Sequence, residues 1–106
     1  MRVRDIMERK LTEVLTPRRL SIIDESDQHR GHTGADPRGE SHFRLVVVSA
    51  CFRGLSRVAR QQMVYGLLDA ELRERIHALS MRTLTPEEEE DDPTLGTEAS
   101  LDTHMR

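Results

Sequence analysis

Apolar and polar positions recur with two different periods along this chain, and the change of period separates helices from strands. From Val3 to Leu15, apolar residues return every three or four positions between charged ones, which predicts an amphipathic helix that ends at Thr16-Pro17. A second helix is predicted from its amino-terminal cap, Ser56, to about Arg75, because apolar residues form adjoining stripes over that stretch.

Three shorter stretches have the composition of β-strands. Leu20 to Asp24 carries two adjacent isoleucines, and Phe43 to Ser49 has a β-branched run that makes it the strongest strand signal and the most buried strand. The third stretch runs from Ile76 to Leu84, and strict alternation places His77 and Leu79 on one face and Ile76 on the other. This order of helices and strands predicts an α+β domain with helices packed against a three-stranded sheet.

Charge is distributed unevenly along the 106 residues. Residues 86–106 hold eight acidic residues and one basic residue, a net charge of −7, so residues 1–85 hold 15 basic and 11 acidic residues, a net charge of +4. The acidic segment is too poor in apolar residues to offset its ordering entropy. We therefore predict one folded domain over residues 1–85 that closes at Pro86, followed by a disordered acidic tail over residues 86–106.

The remaining composition restricts the class of protein. Cys51 is the only cysteine, which excludes an intramolecular disulfide and is typical of a reducing compartment. No apolar run approaches the roughly 20 residues of a membrane span, so we expect a soluble, cytoplasmic protein without membrane contact. No nucleophile-and-base motif or phosphate-binding loop is present, and we expect no enzymatic activity.

Histidines are the main candidates for chemistry. Three of the five, His29, His32 and His42, lie in or at the end of a Gly-containing loop between the first two predicted strands, and His77 lies in the third strand. Imidazole is the commonest metal ligand, so a loop histidine beside one fixed on a sheet predicts a ligand set assembled from distant sequence. A half-buried structural role for His77 and a solvated role for His29 explain the same pattern.

Four segments, taken together in their order and spacing, resemble the BolA-like family over roughly residues 3 to 85. They are Asp24-Glu25-Ser26, Gly39-Glu40-Ser41-His42-Phe43, Val48-Ser49 and Ile76-His77-Ala78-Leu79. The resemblance implies an αββααβ arrangement similar to a class II KH domain, with helices on a three-stranded mixed sheet. It also implies a heterodimer with a monothiol glutaredoxin around a bridging 2Fe-2S cluster.

The ligands that this resemblance implies are His77 and, by its spacing after Asp24-Glu25-Ser26, His29. His32 is the alternative loop ligand, whereas His42 belongs to the strand-opening signature and is interpreted as structural. Thiolates of the glutaredoxin cysteine and of glutathione would complete the set. The isolated chain is expected to carry no cofactor and to be a monomer or a weak dimer.

Nucleic-acid binding is the second function class, because KH-like folds grip nucleotides and BolA-like proteins are linked to transcription regulation. Arg53, Arg57 and Arg60 surround the start of the second helix and are candidate phosphate contacts, although ordinary solvated helix charge explains them equally well. Gln61 and Gln62 stand where the family commonly has histidine and arginine, which removes a cation and a titratable ring from this surface.

Overall fold

Helices pack on a mixed β-sheet in the computed structural model, which describes residues 2–25 and 41–91 and the backbone of residues 102–105. The elements in chain order are α1 (Val3–Leu15), β1 (Arg19–Asp24), β2 (His42–Val48), a 3-10 turn (Ala50–Phe52), α2 (Arg57–Leu67), α3 (Asp69–Glu74), β3 (Ala78–Leu84), α4 (Pro86–Asp91) and β4 (Asp102–Met105). The predicted α+β class is confirmed. No helix in the described ranges is long and apolar enough to cross a membrane.

The sheet has β2 near its centre, with β1 antiparallel to it on one side and β3 parallel to it on the other. This is the predicted three-stranded mixed sheet. The parallel pairing requires a crossover, which α2 and α3 provide between β2 and β3. The backbone of β4 adds a fourth strand antiparallel to β3. All four strands therefore form one sheet in the order of the chain.

The core lies between α1, α2 and one face of the sheet. Its α1 side chains are those of the predicted apolar stripe, Val3, Met7, Leu11 and Leu15, each at most 4% exposed. Alternate residues of β2 meet them, and Phe43, Leu45 and Val47 are at most 1% exposed. Full burial of each such side chain contributes about 1.5–3 kcal/mol relative to exposure. The period-3.6 and period-2 patterns therefore produce a single shared core.

The helix that periodicity predicts from Ser56 to about Arg75 is divided in two, which corrects its extent and confirms the two consecutive helices of the αββααβ arrangement. Ser56 caps α2 as predicted, its hydroxyl oxygen accepting from the backbone N–H of Ala59. The helix breaks at Leu68, whose φ of −105° and ψ of 17° are not helical, and α3 then ends at Glu74. Leu68, at the break, and Leu72, in α3, are both buried in the same core.

The third strand begins at Ala78, two residues later than predicted, and its predicted alternation fails at the start. Ile76 is 1% exposed and belongs to the same core as Leu79, so these two residues are not on opposite sides. The cause is a bend at His77, whose backbone N–H donates to the carbonyl oxygen of Ser41 at 2.7 Å. Regular alternation holds only from Ala78 onward.

Regular structure continues past the predicted boundary at Pro86, because α4 occupies Pro86–Asp91 and the backbone of β4 occupies Asp102–Met105. A capping box begins α4: Glu88 N–H donates to Thr85 Oγ1 at 3.1 Å, and Thr85 N–H donates to Glu88 Oε1 at 2.8 Å. Proline at the first helical position and acidic residues in the first turn favour the same helix start. The rest of the predicted tail lies outside the described residues.

Candidate functional site

One end of the sheet holds His77, which sequence analysis associated with metal binding, and His42, which it interpreted as structural. Because β2 and β3 are parallel, their first residues, His42 and Ala78, are paired there. Because β1 is antiparallel to β2, its last residue, Asp24, lies at the same end. Glu25 and Ser41, which flank the undescribed residues 26–40, are therefore both at this end. We call it the histidine end and define it by Glu25, Ser41, His42 and His77.

His77 is half-buried at the histidine end, in the bend that precedes β3. Its ring centroid lies 6.2 Å from that of His42, with an angle of 42° between the ring planes. His42 is only 5% exposed, and its Nδ1 lies 2.9 Å from the hydroxyl oxygen of Ser41, which is fully buried. His42 therefore has the surroundings of a structural residue, whereas part of the His77 side chain faces solvent.

Glu25 is held firmly at the point where the chain leaves β1. Its carboxylate accepts from Arg44 Nη2 at 2.6 Å, and both side chains are largely buried, with 16% and 14% exposed. Its backbone N–H also donates to the carbonyl oxygen of His42 at 2.7 Å. Sequence analysis missed this ion pair, because nothing local to either residue indicates that Glu25 and β2 meet. The chain therefore leaves the sheet from an ordered position beside His42.

His29 and His32 lie outside the described residues, so the structure does not report whether either approaches His77. Within residues 2–25 and 41–91, no group of three or more histidine, cysteine, aspartate or glutamate side chains is arranged to hold a metal ion. This part of the chain does not fit a cluster that needs four ligands from one protein. A single partly exposed imidazole fits a cluster whose other ligands come from elsewhere.

The opposite end of the sheet carries two of the three candidate phosphate contacts, Arg53 and Arg60. Arg18 and Arg19, which sequence analysis did not consider, lie at the same end. Strands β2 and β3 end there at Val48 and Leu84, and Arg18 N–H donates to the carbonyl oxygen of Val48 at 2.7 Å. Helix α4 follows within two residues of Leu84. We call this the arginine end and define it by its basic side chains, Arg18, Arg19, Arg53 and Arg60.

Arg60 is a structural residue rather than an exposed phosphate contact, because it is only 9% exposed. Its Nη1 donates to Glu88 Oε1 at 2.5 Å and to the carbonyl oxygen of Thr83 at 3.1 Å. Its Nε donates to the carbonyl oxygen of Leu55 at 3.0 Å, and its guanidinium carbon lies 5.9 Å from the Phe52 ring centroid. Arg60 therefore joins α2, β3 and α4.

Arg53 and Arg57 are exposed, whereas Arg60 is buried. Arg53 makes a bidentate contact with Glu87, at 2.9 Å from Nε and 2.5 Å from Nη2. Arg57 is the first residue of α2. The three arginines that sequence analysis grouped therefore do not form one exposed cluster.

Ion pairing with these arginines shifts the pKa values of two α4 carboxylates. The hydrogen bond from Arg53 is the main cause that lowers the pKa of Glu87 to about 2, and the same contact raises the pKa of Arg53. The hydrogen bond from Arg60 lowers the pKa of Glu88, against the opposing effect of partial burial. Both glutamates are therefore charged at neutral pH and remain charged well into the acidic range.

The next two glutamates of α4 reach the other side of the arginine end. Glu89 lies 3.0 Å from Arg19 Nε and 3.4 Å from Arg18 Nε, and Glu90 lies 3.1 Å from Arg18 Nη1. Sequence analysis missed these contacts, although the order Thr85-Pro86-Glu87-Glu88 is a capping box with proline at the first helical position. That signal predicts the helix, but not the arginines that it meets.

This architecture defines an α+β domain of the class II KH-like kind, with a histidine at one end of a mixed sheet. The family model described as BolA-like protein matches residues 11–88, and the chain belongs to the BolA-like family.

Known relatives agree with this assignment. The chain is 41% identical over 88 residues to the DNA-binding transcriptional regulator BolA of Haemophilus influenzae, a match that covers 83% of this chain and 82% of that protein. The structure of BolA1 from Arabidopsis thaliana matches with a TM-score of 0.71 at 43% identity, over 79% of this chain and 92% of that one. The BolA domain of SufE1 from Arabidopsis thaliana matches with a TM-score of 0.70 at 44% identity, over 77% and 90% of the two chains.

Proposed function

We propose that this chain is a non-enzymatic cytoplasmic adaptor that binds a monothiol glutaredoxin and shares a bridging 2Fe-2S cluster with it, in iron-sulfur cluster handling or iron signalling. Membership of the BolA-like family supports this proposal, together with one feature of the structure. That feature is the half-buried imidazole of His77 at the sheet end where the chain enters and leaves residues 26–40.

The residues proposed to hold the cluster are His77 and His29, with His32 as the alternative to His29. His77 follows a core residue, Ile76, and its backbone N–H donates to Ser41, so its main chain is held in place before any partner binds. A pre-positioned ligand loses less entropy when the complex forms. Glutaredoxin and glutathione thiolates would complete the ligand set. Replacing thiolate by neutral imidazole on one iron raises a cluster's reduction potential.

The direct test is cluster assembly with a monothiol glutaredoxin, iron, sulfide and glutathione, comparing wild type with His29→Ala, His32→Ala and His77→Ala. Gln28→Ala is the matched control, because it truncates a neighbouring side chain that is not a metal ligand. Wild type and the control should form a heterodimer whose visible circular dichroism differs from that of the glutaredoxin homodimer.

His77→Ala and His29→Ala should lose that spectrum, whereas His32→Ala should keep it. If His32→Ala loses the spectrum and His29→Ala does not, the loop ligand is His32 and the adaptor proposal remains. If wild type gives no heterodimer on size-exclusion chromatography, the proposal fails.

A second candidate function is DNA binding, and the name of the Haemophilus influenzae relative favours it. The surface for this function differs from the one that sequence analysis suggested, because Arg60 is buried. The exposed candidates near this end of the sheet are Arg53 and Arg57, together with Arg18 and Arg19 at the other side of α4.

Retardation of a DNA duplex that weakens steeply with added salt would support this second function, because phosphate contacts release bound counterions. Arg57→Glu should reduce the retardation. Arg9→Glu, a reversal of an exposed charge on α1, is the matched control and should not. DNA binding would be excluded if neither wild type nor a variant with the glutamates of α4 replaced by glutamine retards the duplex at low salt.

A further inference from the structure

Four consecutive glutamates of α4 each contact an arginine outside that helix. Glu87 pairs with Arg53 and Glu88 with Arg60, whereas Glu89 and Glu90 pair with Arg18 and Arg19. Successive residues of a helix point about 100° apart, so these arginines approach α4 from different sides. An acidic helix is therefore seated among basic residues supplied by α2, the turn before it and the start of β1.

The contacts of α4 divide into an anchor and an exposed set. The anchor is Glu88, which holds Arg60 and also completes the capping box with Thr85. The exposed set comprises Glu87–Arg53, with 59% and 56% of the side chains exposed, and Glu90–Arg18, with 63% and 48% exposed. Glu89 is intermediate: its own side chain is 11% exposed, but its partners Arg18 and Arg19 are 48% and 55% exposed. Exposed ion pairs of this kind contribute little stability and are screened by salt. The outer contacts can therefore exchange without loss of the anchor.

We propose that α4 is an acidic cover over a basic surface formed by Arg18, Arg19 and Arg53, and that a nucleic-acid phosphate backbone replaces Glu87, Glu89 and Glu90 on those arginines. This inference rests on the second candidate function, DNA binding, and describes how that function is controlled. The cover holds the binding surface closed until a polyanion competes for it.

The chemistry of the covered surface favours phosphate as the competing anion. Guanidinium groups present a planar fork that matches phosphate and carboxylate oxygens alike, so a phosphate can take the place of each glutamate. The three arginines lie on both sides of α4, which suits a linear polyanion with repeated charges more than a single small anion. The body over residues 1–85 carries a net charge of +4, which also attracts a polyanion once the cover is neutralised.

The test uses the variant E87Q/E89Q/E90Q, which removes the three carboxylates that contact Arg18, Arg19 and Arg53 and keeps Glu88 as the anchor. Binding to a fluorescently labelled DNA duplex is measured by anisotropy over a range of salt concentrations. We expect about tenfold tighter binding than wild type at low salt, and a slope of log K against log salt that is steeper by about 0.9 for each arginine that gains a phosphate contact. Circular dichroism and thermal melting confirm that the variant is folded.

Two comparisons make the result specific. The variant D5N/E13Q/E74Q changes the net charge by the same amount at exposed positions on α1 and α3, and it should bind like wild type. Adding R18E/R19E to the uncovered variant should remove the gain. If the triple variant proves unfolded, E87Q/E90Q replaces it, since these two carboxylates are the exposed ones, and a smaller gain is expected.

Each other outcome contradicts the cover. Equal gains in the uncovered variant and in D5N/E13Q/E74Q would mean that bulk charge alone matters. Equal DNA binding by wild type and the uncovered variant would leave the DNA-binding function intact and refute the cover. No DNA binding by either would refute both. Binding of polyglutamate but not DNA by the uncovered variant would replace nucleic acid with an acidic protein as the partner.

Discussion

At the scale of single residues, burial decides which charged side chains have a structural role. Arg60 resembles its neighbours Arg53 and Arg57 in sequence, yet it is buried and donates to two backbone carbonyl oxygens, those of Leu55 and Thr83. A buried acceptor that loses its donor costs about 1–3 kcal/mol. The guanidinium of Arg60 is therefore needed for stability, whereas Arg57 lies on the exposed start of α2.

Replacing Arg60 should therefore destabilise the protein. We expect Arg60→Ala to lower the free energy of unfolding by about 2–3 kcal/mol, because two carbonyl oxygens lose a donor and Glu88 loses its ion-pair partner. Arg57→Ala, the matched control on the same helix, should change it by less than about 0.5 kcal/mol. Urea denaturation with comparable slopes for the three proteins measures both. Similar midpoints for wild type and Arg60→Ala would contradict the assigned role.

Glu87 reports directly on the contact between α4 and Arg53. Its pKa of about 2 in the folded protein lies below the ordinary value of 4.5, so the contact stabilises the fold above about pH 4.5, and this stabilisation is lost as the pH falls toward 2. In Arg53→Ala, the pKa of Glu87 should rise toward its ordinary value. Carboxyl NMR titration measures it. An unchanged pKa would mean that Glu87 and Arg53 are not paired in solution.

At the scale of elements, local capping and distant contacts cooperate in α4. The helix has only six residues and buries none of them, so its own propensity cannot maintain it. The capping box at Thr85 and the ion pair of Glu88 with Arg60 supply what burial does not. α4 is therefore stabilised by the capping box at its start and by the ion pair that joins it to Arg60 of α2.

Removal of the cap should therefore loosen α4 without unfolding the domain. Thr85→Ala deletes the hydroxyl that accepts from Glu88 N–H and should cost about 1 kcal/mol. Thr85→Ser keeps the hydroxyl and should behave like wild type. Hydrogen exchange at α4 amides measures the effect, with faster exchange expected only in Thr85→Ala. Equal exchange in all three proteins would show that the ion pairs alone hold the helix.

At the scale of the whole molecule, the two candidate functions occupy opposite ends of the sheet. The seven residues of β3 connect the bend at His77 to Thr85, a distance of about 26 Å for an extended strand. The histidine end and the arginine end share no described side chain. A glutaredoxin bound at one end therefore leaves the other end accessible, unless the partner is large enough to extend across it.

This separation predicts that the two ends can be altered independently. E87Q/E89Q/E90Q should assemble a cluster with glutaredoxin as wild type does, because none of its three positions is near His77. His77→Ala should leave DNA binding unchanged at every salt concentration. Visible circular dichroism and anisotropy measure the two properties on the same preparations. A loss of cluster assembly in the uncovered variant would show that the ends are coupled.

The sequence by itself determined α1, the start of α2, the presence of the first three strands and the family. Periodicity predicts α1 and the cap of α2 correctly because both depend on residues within one or two turns of each other. The same local reasoning could have found α4 from Thr85 and Glu88, but the acidic composition outweighed that signal. Local pattern gave the wrong structure at two places where distant packing decides the conformation. The helix breaks at Leu68, and Ile76 lies in the core because of the bend beside it.

Only the tertiary structure decided which of these residues meet. The proximity of His42 and His77 depends on the parallel register of β2 and β3, which are joined by two helices and cannot be aligned from local pattern. The burial of Arg60 and the pairing of the α4 glutamates likewise depend on where β3 ends relative to α2. Spacing along the chain predicts elements because their hydrogen bonds are local, whereas exposure and charge pairing arise only when those elements pack.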